Sequence, residues 1–370
     1  MNTDRTTHLG AIDALTIGLA QAARRPWLWL IPLAVDLLLW LAPKFSIADL
    51  TQRFLQGWEV LVRATYTPRQ LELMSDMLRT VREGMTALSG QVNLLDTLAA
   101  SWLGPPSAIA NGQITRFTFI SELILAPLGL APTLPQIHPA GWQLAAIEVR
   151  SLWAVMLIVA VLWVAAQVIA VLWLRWAAAA IAVEPAAAEQ TTEDCRGPFL
   201  AQVVQLMGFC LFLGILLFML RLPLGAAFLL LMLSTSPLAG ALFAIVGGVT
   251  LWITLWMLLS LYFTGEGLLC ERQPVWRSML QGAAMMRGRV LATAGLIALI
   301  NLLLVGFRAV WGIIGQHWAG AVLAMLGNAY LGTAMLLAVF AYYGRLRQRW
   351  LAAQARAEAD DRQLMRKEED

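Results

Sequence analysis

Charge is scarce in this chain. Asp, Glu, Lys and Arg make up 13% of its 370 residues, about half the ~25% of a soluble domain. So little charge cannot wet an ordinary globular surface, which excludes a water-soluble protein over most of the length. Lysine is almost missing: of 26 basic residues only Lys44 and Lys367 are lysines, which reads as compositional bias of the source. Histidine is confined to His8, His138 and His317, and cysteine to Cys195, Cys210 and Cys270. No two cysteines form a CxxC pair, so neither a disulfide framework nor a zinc site is expected. His138 and His317 read as surface loop residues. The Walker A loop, HExxH, GxSxG and the glycine-rich dinucleotide turn are all missing. No cofactor, metal or nucleic-acid partner is therefore expected, and no motif fixes a reaction. A cleavable leader is not expected either: Asp13 and Gln21 interrupt residues 1–23, and Arg24-Arg25 follow that stretch instead of opening it.

What fills the chain is apolar sequence, 59% of it, with a mean hydropathy of +0.69. Runs of about 20 apolar residues span a bilayer as helices, and a helix satisfies its own backbone where lipid offers no hydrogen bonds. The fold class expected is an all-α integral membrane protein with six transmembrane helices. The spans read as Pro26–Pro43, Ser151–Ala177, Phe199–Leu220, Leu238–Phe263, Val290–Phe307 and Gly320–Tyr343. Leu224–Leu233 continues the third obliquely past Arg221 and Pro223, and Ser234–Pro237 is the turn. Residues 1–25 form an interfacial amphipathic helix with Ile12, Leu15, Leu19 and Ala22 on its stripe. The first transmembrane helix occupies 26–43, an extracytoplasmic helical insertion 44–148, a five-helix transmembrane region 149–343 and a charged cytoplasmic tail 344–370. Within the insertion one helix opens at Ser46, a second at Thr67-Pro68, and a third runs from about Val92 to Leu103. The proline-broken stretch Phe117–Pro139 reads as irregular chain at the interface, with a re-entrant segment as the alternative.

Arginine placement gives the orientation. Arg5, Arg24 and Arg25, then Arg196, then Arg272, Arg277, Arg287 and Arg289, then the basic tail fall on one side, against Arg221 and Arg308 alone in the short turns of the other. The positive-inside rule then puts both termini in the cytoplasm, with the chain multi-pass in the cytoplasmic membrane. The amphipathic helix around Trp276–Arg287 and the first helix suit an anionic inner leaflet, so the bilayer is the first partner expected.

Asp36 demands an account, because a carboxylate inside a span costs about 2.5–3.5 kcal/mol even on a lenient scale. Counting from the cytoplasmic ends, Gln167, Thr254 and Asn301 fall at about the same depth. The expectation is one intramembrane polar layer of Asp36, Gln167, Thr254 and Asn301. Its plain use is to hold helices together, and its functional use a proton or ion relay. Small residues form two stripes, Gly240, Ala244 and Gly248 on the fourth span and Gly320, Ala324 and Gly332 on the sixth. These serve either packing within the chain, the plainer reading, or contact with a second copy in a homo-oligomer.

The run Phe263-Thr-Gly-Glu-Gly-Leu-Leu-Cys-Glu271, with Val275-Trp-Arg277 and Ala283-Ala-Met-Met-Arg-Gly-Arg289, resembles a segment of bacterial polytopic proteins. It is similar to the membrane domain fused to some glycerophosphodiester phosphodiesterases, although Gly282 stands where that segment carries a serine. The opening Arg24-Arg25-Pro-Trp-Leu-Trp-Leu-Ile-Pro32 with Asp36 resembles the start of uncharacterised bacterial membrane proteins. The resemblance implies an all-helical membrane domain and no activity. The function expected is a non-catalytic scaffold, assembly factor or accessory subunit, with a protein partner at the outer insertion. The alternative is a small-molecule or lipid transporter using the layer around Asp36.

Overall fold

The computed structural model describes residues 10–110, 115–119, 146–181, 197–233, 237–271 and 273–369. His8, His138, Cys195, Arg5, Arg196, Arg272, residues 120–139 of the proline-broken stretch and the turn at Ser234–Ser236 lie outside the described residues. The protein is a helical membrane protein. Among the described residues five helices are long and apolar enough to cross a bilayer: within Leu152–Ile181, Phe199–Ala227, Gly240–Cys270, Val290–Ile314 and Trp318–Asp360. Their apolar side chains face outward, Trp153, Val204, Trp252, Leu291 and Leu302 among them, the reverse of a soluble surface.

In chain order the helices are α1 (Ala11–Arg24), α2 (Leu30–Leu41), α3 (Ala48–Thr65), α4 (Pro68–Gln91), α5 (Leu152–Ile181), α6 (Phe199–Leu233), α7 (Pro237–Ser260), α8 (Thr264–Cys270), α9 (Val275–Arg287), α10 (Val290–Ile314) and α11 (Trp318–Glu369). Short 3-10 turns precede α2 at Pro26–Trp29 and follow α4 at Leu94–Ala99. A two-residue parallel bridge pairs Phe45 with Ile147 and Ser46 with Glu148, tying the two ends of the insertion together.

The stretch 26–43 is shorter as a helix than its apolar sequence suggests. Pro26 opens a 3-10 turn, and only 12 residues follow as α-helix. Together they rise about 26 Å, against a hydrocarbon core of about 30 Å. The bend just before them is held by the Trp29 indole, which donates to the Ala22 carbonyl.

Helix α1 buries Leu15 and Ala22 of its sequence stripe and half-buries Leu19, but leaves Ile12 outside. Ile12 is 71% exposed, and the buried face is Ala14, Leu15, Gly18 and Ala22. That face lies against α11, so close that a Cβ on Gly18 would meet the backbone of Ala334 and Ala338. Close approach of two backbones selects small residues at every fourth position, and bulk alone does not reveal such a face.

Helix α11 organises the rest. Its 52 residues rise about 78 Å, from the bundle's hairpin end at Trp318 to a charged, solvent-exposed extension. Residues Leu331–Phe340 are buried on all sides, packed by α1, α2, α5 and α10. The two small stripes part company here. Ala324 and Gly332 on α11 are buried within the chain and Gly320 half-buried, whereas Ala244 and Gly248 on α7 are exposed. The expectation of intramolecular packing is thus corrected for α7, whose stripe touches nothing in this chain at Gly248.

Beyond the bundle, α3 and α4 form a helical hairpin packed chiefly on itself. The expected third helix of the insertion is shortened to the 3-10 stretch Leu94–Ala99. Asn93 caps a single 3-10 stretch, its side chain accepting from the Leu95 amide, and Gly104-Pro105-Pro106 forbids α-helix beyond it. The chain then enters the bundle, and Ser101–Ala108, Ala110 and Thr115–Phe119 are all buried.

Candidate functional site

The polar chemistry of the interior is concentrated on this buried segment, 94–119, and on the helices that hold it. Three helices clamp its turn at 106–110. From α2, the Asp36 carboxylate accepts the Ser107 hydroxyl and, at 3.1 Å to each oxygen, the Ala108 amide. From α11, Asn328 donates to the Pro106 carbonyl at 2.8 Å. From α10, Arg308 donates to the Ala110 carbonyl at 3.3 Å. Ser107 Oγ in turn accepts the amides of Ile109 and Ala110, closing the turn upon itself. Gly332 on α11 leaves the room for Pro106, whose ring a Cβ there would strike. One turn earlier, Ser101 donates to Gln167 Oε1 on α5 at 3.1 Å.

This replaces the expected four-residue layer, which is corrected as follows. Asp36 and Gln167 are both fully buried, and each is satisfied by the segment 94–119 at a different place. Asn301 donates to the Ile297 carbonyl of its own helix, and Thr254 to the Thr250 carbonyl of its own. The four residues do not face one another. The partners that matter, Ser101, Ser107 and Ala108, come from a stretch that reads as part of an outer insertion. One signal marks it as interior: no charged residue stands between Asp96 and Arg116.

The far end of the segment carries the second polar centre. Arg116 and Glu266, both 0% exposed, pair at 2.5 Å through Nη1 and Oε1. The guanidinium also lies over the rings of Phe117, at 4.9 Å, and Tyr262, at 5.8 Å, which cation–π attraction favours in a dry setting. The backbone is pinned by the Arg116 amide donating to the Trp102 carbonyl at 2.9 Å. The pair is not bidentate: among the described residues Arg116 Nε and Nη2 and Glu266 Oε2 find no partner, nor do the Tyr262 and Thr264 hydroxyls.

Glu266 stands on α8, the short helix joining α7 to α9. Ser278 of α9 donates to the Thr264 carbonyl at 2.9 Å, and Gln202 of α6 to the Leu269 carbonyl. Just past α8, Glu271 accepts the Tyr343 hydroxyl at 2.7 Å and pairs with Arg347 at 2.9 Å. The stretch 264–271 is thus a polar joint between α6, α9 and α11.

Among the described residues no group of three or more His, Cys, Asp or Glu gathers as a metal site. A cleft of about 280 Å³ lies in the hairpin, floored by Trp58, Val62, Leu71 and Leu78 and rimmed by Glu59, Arg63, Arg79 and Arg82. Phe54, Val60 and Leu61 of the same hairpin are exposed. Comparison with family models, curated proteins and solved structures finds no match for this chain.

Proposed function

We propose that this protein is a non-catalytic membrane scaffold, assembly factor or accessory subunit that presents the α3–α4 hairpin to a protein partner. It sits in the cytoplasmic membrane with six crossings and both termini inside, the short Pro26–Leu41 segment supplying the sixth. The hairpin then stands outside, and α8, α9 and the tail inside. The arginine asymmetry supports that orientation. The observation that carries the reading is the state of Asp36: it is fully buried and its oxygens are occupied by Ser107 and Ala108. A carboxylate spent on holding a turn supports a structural role over a relay. The apolar residues left bare on the hairpin, Phe54, Val60 and Leu61, support an outward working surface.

The test is the size of the native assembly. In its own membrane the chain should migrate on a native gel above its 40.6 kDa, and Phe54→Ser with Leu61→Ser should reduce it to the single chain with its thermal stability kept. A wild-type chain that migrates alone, or a complex indifferent to both substitutions, contradicts the proposal.

A further inference from the structure

Several arginines at the α8 end have an evident use. Arg347 pairs with Glu271, and Arg175 donates to the Gly197 carbonyl and to Gln202. Arg289, Arg345 and Arg349 have no carboxylate partner among the described residues, and Arg349 lies within electrostatic reach of both others.

The backbone fixes this grouping. Thr293, in the first turn of α10, and Tyr342 of α11 share a hydrogen bond at 3.3 Å, both side chains buried. The two helices run in opposite directions at this end. One turn outward from Thr293 is Arg289, whose carbonyl accepts the Thr293 amide. One and two turns outward from Tyr342 are Arg345 and Arg349, four apart and so on one face of α11. All three guanidiniums therefore emerge on the same side of the Thr293–Tyr342 contact. They also emerge at a definite height: Arg289 immediately precedes a membrane-length helix, and Arg345 and Arg349 follow Tyr343 by about 3 and 9 Å of helix rise. That is the headgroup layer, which adds some 5–8 Å to each side of the hydrocarbon.

Three like charges gathered without a counter-charge among the described residues repel one another, and an anion at that height relieves the repulsion. We infer that Arg289, Arg345 and Arg349 form a binding site for the phosphate of an anionic phospholipid headgroup. Guanidinium suits this ligand, since it donates to phosphate oxygens through two parallel N–H groups. The neighbouring α9 fits the same surface, its Trp276 and Leu280 being exposed for contact with acyl chains. The inference rests on these helices crossing a bilayer and is independent of the hairpin's role.

The experiment is native mass spectrometry of the full chain in detergent, titrated separately with phosphatidylglycerol, phosphatidylcholine and inorganic phosphate. The wild type should retain phosphatidylglycerol over phosphatidylcholine. Each of Arg289→Gln, Arg345→Gln and Arg349→Gln should weaken that binding about fivefold, while Arg69→Gln, exposed on α4 of the hairpin, should not. Thermal unfolding in detergent without added lipid should be unchanged, separating loss of ligand from loss of fold. Equal retention of the two lipids, or a triple glutamine variant that binds like the wild type, overturns the inference. Displacement of the lipid by millimolar inorganic phosphate also overturns it, because the site would then belong to a free anion.

Discussion

An arginine and a glutamate buried together in an apolar bundle are tolerable while both are present. Removing one leaves an uncompensated charge, which costs about 3–5 kcal/mol, whereas replacing both with apolar residues of similar size is often neutral. Arg116→Met should therefore lower stability in detergent by about that amount, and adding Glu266→Leu should recover most of it. A double variant no better than the single one would show that Arg116 acts through Phe117 and Tyr262 and not through Glu266. Asp36 behaves differently, because its partners, the Ser107 hydroxyl, the Ala108 amide and the Asn328 side chain, are all neutral. Asp36→Ala strands the Ala108 amide and should cost about 1–3 kcal/mol. Asp36→Asn keeps one acceptor oxygen and should cost less, and thermal unfolding of the two variants side by side checks the order. At this scale the sequence was half legible. Asp36 stands out as a lone carboxylate in an apolar run, and its need for a partner follows from desolvation alone. The identity of that partner does not, because Ser107 lies across the hairpin from it in the chain and only the return of 94–119 into the bundle brings them together.

Among the elements, α1 and the buried segment depend most on fit. Gly18 lets α1 lie against α11 at Ala334 and Ala338. Gly18→Val has only backbone to push against and should cost about 1–3 kcal/mol or more. It should also expose Ala14 and Ala22, read by thiol labelling of Ala14→Cys before and after the substitution. Labelling unaffected by the valine would mean that α1 is held elsewhere, for instance by Trp29 and Tyr330, whose rings meet edge to face at 5.2 Å. The membrane-length helices were plain in the sequence because length and hydropathy suffice for them. Facing was not plain: a uniformly apolar helix gives no period to read, so the exposed stripe on α7 and the buried one on α11 look alike. Nor was 94–119, since short apolar pieces broken by Gly-Pro-Pro read equally as surface chain and as packed interior.

The whole molecule is a bundle closed around one long helix, with a hairpin at one end and a charged helical extension at the other. The orientation proposed predicts that a cysteine at Glu72, in the hairpin, reacts with an impermeant maleimide in whole cells. One at Gln354, in the extension, should react only after the membrane is opened. The opposite pattern would invert the topology and move the partner surface to the cytoplasm.

The central claim is that the interior is sealed and holds a structural segment, so the protein works through its surfaces. Thiol reactivity at Ser107→Cys, with the native cysteines replaced, tests this most directly. The account predicts that a small water-soluble thiol reagent fails to label this cysteine in intact membranes from either side, and labels it once the protein is unfolded. Rapid labelling in the folded protein would put water at Asp36, contradict the sealed interior and favour transport through the bundle.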